Sequence, residues 1–334
     1  MKRSISNREI NKEAGLEMSF SSKTKNNLAR IEIESSCCII AELAALARMN
    51  ATIKLHGLNK IQLKFSTENA AIARRIFSIL KELYKVDIEV MVRKNKQLKK
   101  KNIYIVLVDN DQVALQILRD TGLLQAEEDI FDLKYEVPES IVKERCCLRS
   151  YIRGSFLGGG SINDPEKNYH LEFVAHNEAH AQNLSELINS FDLKSKIVQR
   201  KDNYIVYLKE SEQIVDMLNI IGAHNALLEL ENVRVVKEMR NNINRIVNCE
   251  TANLSKTIDA AIRQCENIEF IDQTIGIHKL PENLREIAKV RVENRDASLK
   301  ELGSMLTIPI GKSGVNHRLR KLEQIAEGLR TGDR

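Results

Sequence analysis

Hydrophobic and polar positions along the chain run twice through one pattern and then settle into helical spacing alone. In the first round, residues 39–49 carry the spacing of a helix. Residues 52–55 and 61–65 then alternate on either side of a turn at 57–60, as the two arms of a hairpin do. Ala70, Ala73, Ile76, Phe77 and Leu80 recur every three or four residues and predict a helix with one apolar face. Residues 87–93 and 102–108 read as strands, and 111–119 as a closing helix. The second round repeats this with a helix at 148–157, strands at 161–162 and 169–174 about a turn through Asn163, Asp164 and Pro165, and a helix carrying Ala181, Leu184, Leu187 and Ile188. Strands at 196–199 and 203–208 and a helix at 212–219 complete it. Cys38 and Cys147 mark equivalent points 109 residues apart. The predicted unit is α-β-β-α-β-β-α, present twice: an α+β pseudo-dimer in one chain, each sheet covered by helices on one face.

Beyond residue 232 the alternation stops. Val236, Met239, Ile243, Ile246 and Val247 predict a long helix within 233–265. Its asparagines (Asn241, Asn242, Asn244, Asn248, Asn253) disfavour helix and fit either a polar seam or a partly irregular connector. A second helix is expected at 255–268, then a loop through Gly276. Pro281 and Glu282 open another helix, with Leu284, Ile287, Ala288, Val290 and Val292 inward. Ser298 and Glu301 form a capping box for a short helix at 299–306. After a turn at 307–313, residues 314–329 form a longer helix with Val315, Leu319, Leu322, Ile325 and Leu329 on its apolar face. A short helix, a turn and a longer basic helix match a helix-turn-helix, whose second helix enters the major groove of DNA by its N-terminal end. Lys312, Ser313 and Asn316 then lie nearest base edges with His317 beside them, while Arg318, Arg320 and Lys321 reach phosphates or bases. A helical hairpin for protein contact is the competing account. The expected division is an N-terminal extension at 1–25, the repeated domain at 26–232 (halves 26–125 and 140–232), a helical linker at 233–274 and the helix-turn-helix domain at 275–330.

Charge sharpens the picture only locally. The 334 residues carry a net charge of +5, and residues 275–334 hold twelve Lys or Arg against eight Asp or Glu. A second basic cluster, Arg93, Lys94, Lys99, Lys100 and Lys101, falls between two predicted strands. With Lys54, Lys60 and Lys64 these are candidate DNA backbone contacts; a lysine-rich hairpin turn is also what a merely solvated turn looks like. There is no apolar run of the ~18 residues that a membrane span needs, and residues 1–30 lack the apolar core of a signal peptide. A cytoplasmic, nucleoid-associated protein without membrane contact is expected. The six cysteines, two adjacent pairs (Cys37-Cys38, Cys146-Cys147) plus Cys249 and Cys265, lack the spacing of a disulfide framework or zinc site and read as small packing thiols. His176 and His180 are four apart without the glutamate of a zinc-protease helix, and read as surface or cap histidines. Neither metal nor cofactor is expected.

Gly154 sits inside a helical run, where glycine costs about 1 kcal/mol, so close packing of two helices is the reason to expect for it. Gly158, Gly159 and Gly160 end that helix and lead into a strand, the reverse of a nucleotide-binding loop. The stretch resembles the interface helix of LAGLIDADG homing endonucleases, in which two such helices pack through small residues and each ends in an acid that holds a catalytic metal. The resemblance puts Ala45 and Gly154 at the packing positions, and Asn50 and Gly159 at the acid positions. Without two carboxylates the metal loses its anionic cage, so no catalytic residue is expected. Asp164 and Glu172 stand nearby, the former as an ordinary turn residue.

The motifs Cys37-Cys38, RGSFLGGG (153–160), NDP (163–165), NRIVNCETAN (244–253), LREI (284–287), SLKELG (298–303) and KSGVNHRLRKL (312–322) together resemble the WhiA family over nearly the whole chain. The resemblance implies a degenerate homing-endonuclease domain joined to a sigma-region-4-like helix-turn-helix. It implies a sequence-specific DNA-binding regulator linked to sporulation, cell division and chromosome segregation, without nuclease activity. Its partners would be double-stranded DNA and another transcription or division protein. The alternative is a division or nucleoid scaffold that binds DNA loosely and acts mainly through proteins.

Overall fold

The computed structural model describes residues 18–56, 60–94, 102–125 and 133–332. They form two compact units, one ending at Val236 and the other starting at Lys237.

The first unit opens with α1 (Phe20–Leu28), which the apolar pattern did not announce. The helix buries only Phe20, Thr24 and Leu28, and Ser19 caps it by accepting from the Ser22 N–H. Then come α2 (Ser36–Asn50), β1 (Ala51–His56), β2 (Lys60–Thr67), α3 (Ala70–Tyr84), β3 (Glu89–Lys94), β4 (Asn102–Val108) and α4 (Asp111–Asp120). A short helix, α5 (Glu139–Val142), leads into the second copy: α6 (Arg145–Gly159), β5 (Gly160–Ile162), β6 (Leu171–Ala175), α7 (Glu178–Asn189), β7 (Lys196–Arg200), β8 (Asn203–Leu208) and α8 (Ser211–Ile221). Both copies make an antiparallel sheet of the same order, β1-β2-β4-β3 and β5-β6-β8-β7. The chain is therefore a tandem α+β pseudo-dimer followed by a helical region.

The two copies share one core, centred on α2 and α6. Both helices place small residues at their contact: Ala41, Ala44 and Ala45 are fully buried. A Cβ at Gly154 would stand 2.6 Å from the Glu42 carbonyl oxygen and 2.9 Å from the Ala45 Cβ. The backbones approach so closely that any side chain there would force them apart.

Two charged groups are sealed into this core. The Glu42 carboxylate takes Arg75 Nε at 2.7 Å and Arg153 Nε at 3.0 Å, one guanidinium from each copy. Arg48 is also buried and, among the described residues, has no carboxylate partner. It donates instead to the carbonyls of Ala44, Thr121, Gly122, Tyr135 and Glu136, at 2.8 to 3.1 Å, which pins the segment joining the copies. Arg149 donates to the carbonyls of Asn219 and Ile220 at the end of α8.

His180, expected at the surface or at a cap, lies in the core with its Nε2 3.3 Å from the Tyr151 hydroxyl, whereas His176 is exposed. Burial, reinforced by the Arg48 and His176 charges, pushes His180 down from 6.5 to about 3. Between these values the unfolded chain binds a proton that the native state refuses, so stability falls with falling pH, by up to about 1.4 kcal/mol per pH unit. His180→Gln should flatten that acid limb. Urea midpoints measured near neutrality and at about pH 5 check this; an unchanged slope in the variant counts against it.

Two further expectations are corrected. The helices predicted within 233–265 and at 255–268 are one continuous helix, α9 (His224–Thr274), because no glycine or proline interrupts the stretch. Val236, Met239, Ile243, Ile246 and Val247, read as its apolar face, are all exposed. Of the six thiols, Cys38, Cys147 and Cys265 are buried, but Cys37, Cys146 and Cys249 are exposed and fill no core.

Candidate nucleic-acid interface

The second unit adds α10 (Glu282–Glu293), α11 (Leu299–Ser304) and α12 (Lys312–Thr331). Leu284, Ile287 and Ala288 of α10, Leu302 and Leu306, and Val315, Leu319, Leu322 and Ala326 of α12 close a core of their own. The start of α11 is fixed by a reciprocal cap: Ser298 Oγ accepts from the Glu301 N–H at 3.3 Å, and the Glu301 carboxylate accepts from the Ser298 N–H at 2.8 Å. The following turn is held by Ile310 N–H donating to the Gly303 carbonyl at 3.1 Å, and by Thr307 N–H donating to Glu286 at 2.5 Å. The Thr307 donor holds the Glu286 carboxyl below its ordinary range.

α12 starts two residues before the position the apolar pattern suggested, which puts Lys312 and Ser313 in its first turn. Successive residues turn by about 100°, so the side opposite Val315, Leu319, Leu322 and Ala326 carries Ser313, His317, Arg320, Lys321 and Gln324. All five are exposed, as is Lys312, and Asn316 stands half-buried at the edge of that face. Gln324 was missed from the sequence; it lies one turn past Arg320, and extending the face by that spacing would have found it. Arg318 is placed differently. It is turned inward, donating to the Asn283 carbonyl at 3.4 Å and standing 3.7 Å from the Glu286 carboxylate, and so ties α12 to α10. Gly311 supplies no side-chain cap to the start of this 20-residue helix. Free amide groups, helix dipole and Lys312 together favour a phosphate there.

In the first unit, strand register sorts the basic residues. Lys54, Lys64 and Arg93 alternate onto the sheet face opposite the buried Leu63, Phe65 and Val106. Lys54 and Arg93 are exposed and Lys64 half-buried. Lys94 falls on the other side of its strand, and Lys60 is the first residue of β2, opposite His56. Lys99, Lys100 and Lys101 lie outside the described residues.

Asn50 and Gly159 end α2 and α6 side by side. Asn50 Nδ2 donates to the carbonyls of Ser66 at 3.2 Å and Gly158 at 3.4 Å. A Cβ at Gly159 would stand 2.7 Å from the Val174 carbonyl oxygen and 2.8 Å from Met49 Sδ, so the backbone leaves no room for an acid there. Asn50 and Gly158 line a cleft of about 850 Å³ together with Lys25, whose ammonium is pushed down to about 8 by burial. An amide and an amine thus stand beside the position where a metal-binding pair would need carboxylates. Asp164 accepts from the Glu166 N–H within its turn, and Glu172 is engaged by Ser161 and His170.

The two units define a helix-turn-helix protein built on a tandem LAGLIDADG-like domain. Three family models match the chain: "WhiA N-terminal LAGLIDADG-like domain" at residues 36–124, "WhiA LAGLIDADG-like domain" at 148–240 and "WhiA C-terminal HTH domain" at 243–326. The chain is 60% identical over 310 residues to the probable cell division protein WhiA of Alkaliphilus metalliredigens, covering 93% of this chain and 98% of that protein. It is 55% identical over 313 residues to the protein of the same name from Clostridium acetobutylicum, covering 94% and 99%. The crystal structure of full-length DUF199/WhiA from Thermatoga maritima superposes with a TM-score of 0.57 at 26% identity, covering 93% of this chain and 98% of that one. The chain belongs to the WhiA family. Among the described residues, no helix is long and apolar enough to cross a membrane.

Proposed function

We propose that the protein is a sequence-specific regulator of duplex DNA without nuclease activity, acting in the nucleoid on cell division, chromosome segregation and sporulation. The observation that carries this is the α12 face: Ser313, His317, Arg320, Lys321 and Gln324 point away from the core at the start of a helix without a side-chain cap, with Lys312 and Asn316 beside them. A helix presented in this way fits the major groove by its N-terminal end, with Asn316 and Arg320 able to read base edges and Lys312 and Lys321 able to neutralise phosphates. Lys54, Lys64 and Arg93 add sequence-independent attraction. The absence of acids at Asn50 and Gly159 supports a binding role in place of strand cleavage.

The exposed apolar residues Val235, Val236, Met239, Ile243, Ile246 and Val247 favour a second account, a scaffold that works through transcription or division proteins and grips DNA loosely. One binding series separates the two. On a site selected from random duplexes, Asn316→Ala should lower discrimination against the wrong base by about 1–3 kcal/mol, while Lys321→Ala should weaken all duplexes alike and reduce the salt slope by roughly one charge. A specificity ratio that persists as salt rises supports the regulator. If selection returns no preferred duplex, or neither substitution changes binding, the scaffold account replaces it.

A further inference from the structure

The cysteine pairs, each with one buried and one exposed thiol, open the two interface helices at matching places. Cys37 and Cys38 are the second and third residues of α2, and Cys146 and Cys147 are the second and third of α6. Because α2 and α6 pack side by side as copies of one element, their first turns meet. Cys38 Sγ lies 3.8 Å from Cys147 Sγ, and the sulfurs of Cys37, Cys38 and Cys147 all lie within 4.8 Å of one another. Cys146, the residue before Cys147, is exposed, and its sulfur is not among the three in mutual range. Four ligands in a tetrahedron at about 2.3 Å from a central ion stand about 3.8 Å apart, the separation that Cys38 and Cys147 already show.

We propose that Cys37, Cys38 and Cys147 form a three-thiolate site for one thiophilic divalent cation of the zinc type, with a solvent molecule as the fourth ligand. The sequence concealed it because neither pair has zinc-ligand spacing by itself; the fold supplies the missing separation by joining two pairs that lie 109 residues apart.

The electrostatics suit a cation. Two helix N-termini converge here, and both favour negative sulfur. Cys37 is exposed and gives an ion access, while Cys38 and Cys147 are buried and give it a dry seat. The Ser35 hydroxyl stands 3.0 Å from Cys37 Sγ, within hydrogen-bond reach of the sulfur. A bound divalent ion removes the cost of placing several thiolates together. Each coordinating thiol gives up one proton to solvent and no electron moves, so binding tightens as pH rises. A disulfide would need only two of these sulfurs, drawn in to about 2.05 Å, and an oxidant; a third thiol in mutual range is what a cation site uses. The ion would clasp the beginnings of the two helices that hold the copies together.

The test uses the full-length, fully reduced chain titrated with Co²⁺ and then Zn²⁺. One equivalent of Co²⁺ should give thiolate-to-metal charge transfer and the visible bands of a tetrahedral site, and Zn²⁺ should abolish both. Cys38→Ser and Cys147→Ser should lose these signals, while Cys249→Ser and Cys265→Ser keep them. Helix content by circular dichroism verifies that each variant folds, and the exposed Cys37→Ser gives a second loss that folding cannot explain. The proposal is overturned if the reduced protein takes up neither metal, if uptake survives both Cys38→Ser and Cys147→Ser, or if the thiols close a Cys38–Cys147 disulfide in air while the reduced form binds no ion.

Discussion

Glu42→Gln should lower the unfolding free energy by about 3–5 kcal/mol, the usual loss when one partner is removed from a buried ion pair. Glu42 has no solvent exposure, and the Arg75 and Arg153 side chains keep only 12% and 13% of theirs. Arg75 donates to both carboxylate oxygens and also to the Ile31 carbonyl; Arg153 donates to Oε2 and to Ser150 Oγ. Glutamine keeps the shape but turns one acceptor into a donor that faces a guanidinium, and leaves two buried cations without their shared countercharge. The loss is large because the charges are already out of water and cannot regain it without opening the contact between α2 and α6. Glu269→Gln is the natural comparison. Its partner Arg295 lies 2.5 Å away, but the side chains are 46% and 63% exposed, and the loss should stay within about 1 kcal/mol. Urea unfolding at constant slope measures both, and equal midpoints for the two variants would refute the assignment of Glu42 as the buried keystone.

The distance along the chain between groups decides what could be read beforehand. The strands and helices of both copies follow from a period that switches between two and three to four within a few residues, and the Ser298–Glu301 cap from a spacing of three. Both are local, and both are legible. Gly154 was legible for a related reason: a residue that a helix disfavours asks for an external cause. The Glu42 cluster joins residues 33 and 111 positions apart, and no local pattern distinguishes Glu42 from the solvated glutamates around it. The cluster of Cys37, Cys38 and Cys147 was hidden likewise: the adjacency of each pair argued against a site until the symmetry of the copies brought the pairs together. α1 escaped because a nine-residue helix with three buried positions carries little periodic signal. On α12, the polar face could be read from spacing, but not the inward turn of Arg318, since that depends on Glu286 and Asn283 of another helix.

Gly303→Ala should disable the recognition unit with the addition of a single methyl group. A Cβ there falls inside contact distance of the Ile310 carbonyl oxygen and 3.2 Å from Val315 Cγ2. The first neighbour is backbone, in the turn between α11 and α12, and cannot rotate aside as a flexible side chain would. Ile310 is also the residue whose N–H donates to the Gly303 carbonyl, so pushing the strands of the turn apart breaks the bond that closes it. Overpacking of this kind costs about 1–3 kcal/mol, and losing a buried hydrogen bond adds about 1 kcal/mol more. The consequence for DNA follows from the proposed role of α12: as a recognition helix it would meet a groove at the correct angle only while the turn fixes its start against α11. Binding of a selected duplex should therefore fall by more than roughly tenfold at temperatures where wild type is fully folded, with a lowered melting temperature. Gly311→Ser provides the contrast. A Cβ at Gly311 meets nothing within 4 Å, its φ of −72° suits any residue, and serine supplies the cap the helix lacks, so stability should hold or rise. A Gly303→Ala protein that melts and binds like wild type would mean that the turn does not set the position of the recognition helix.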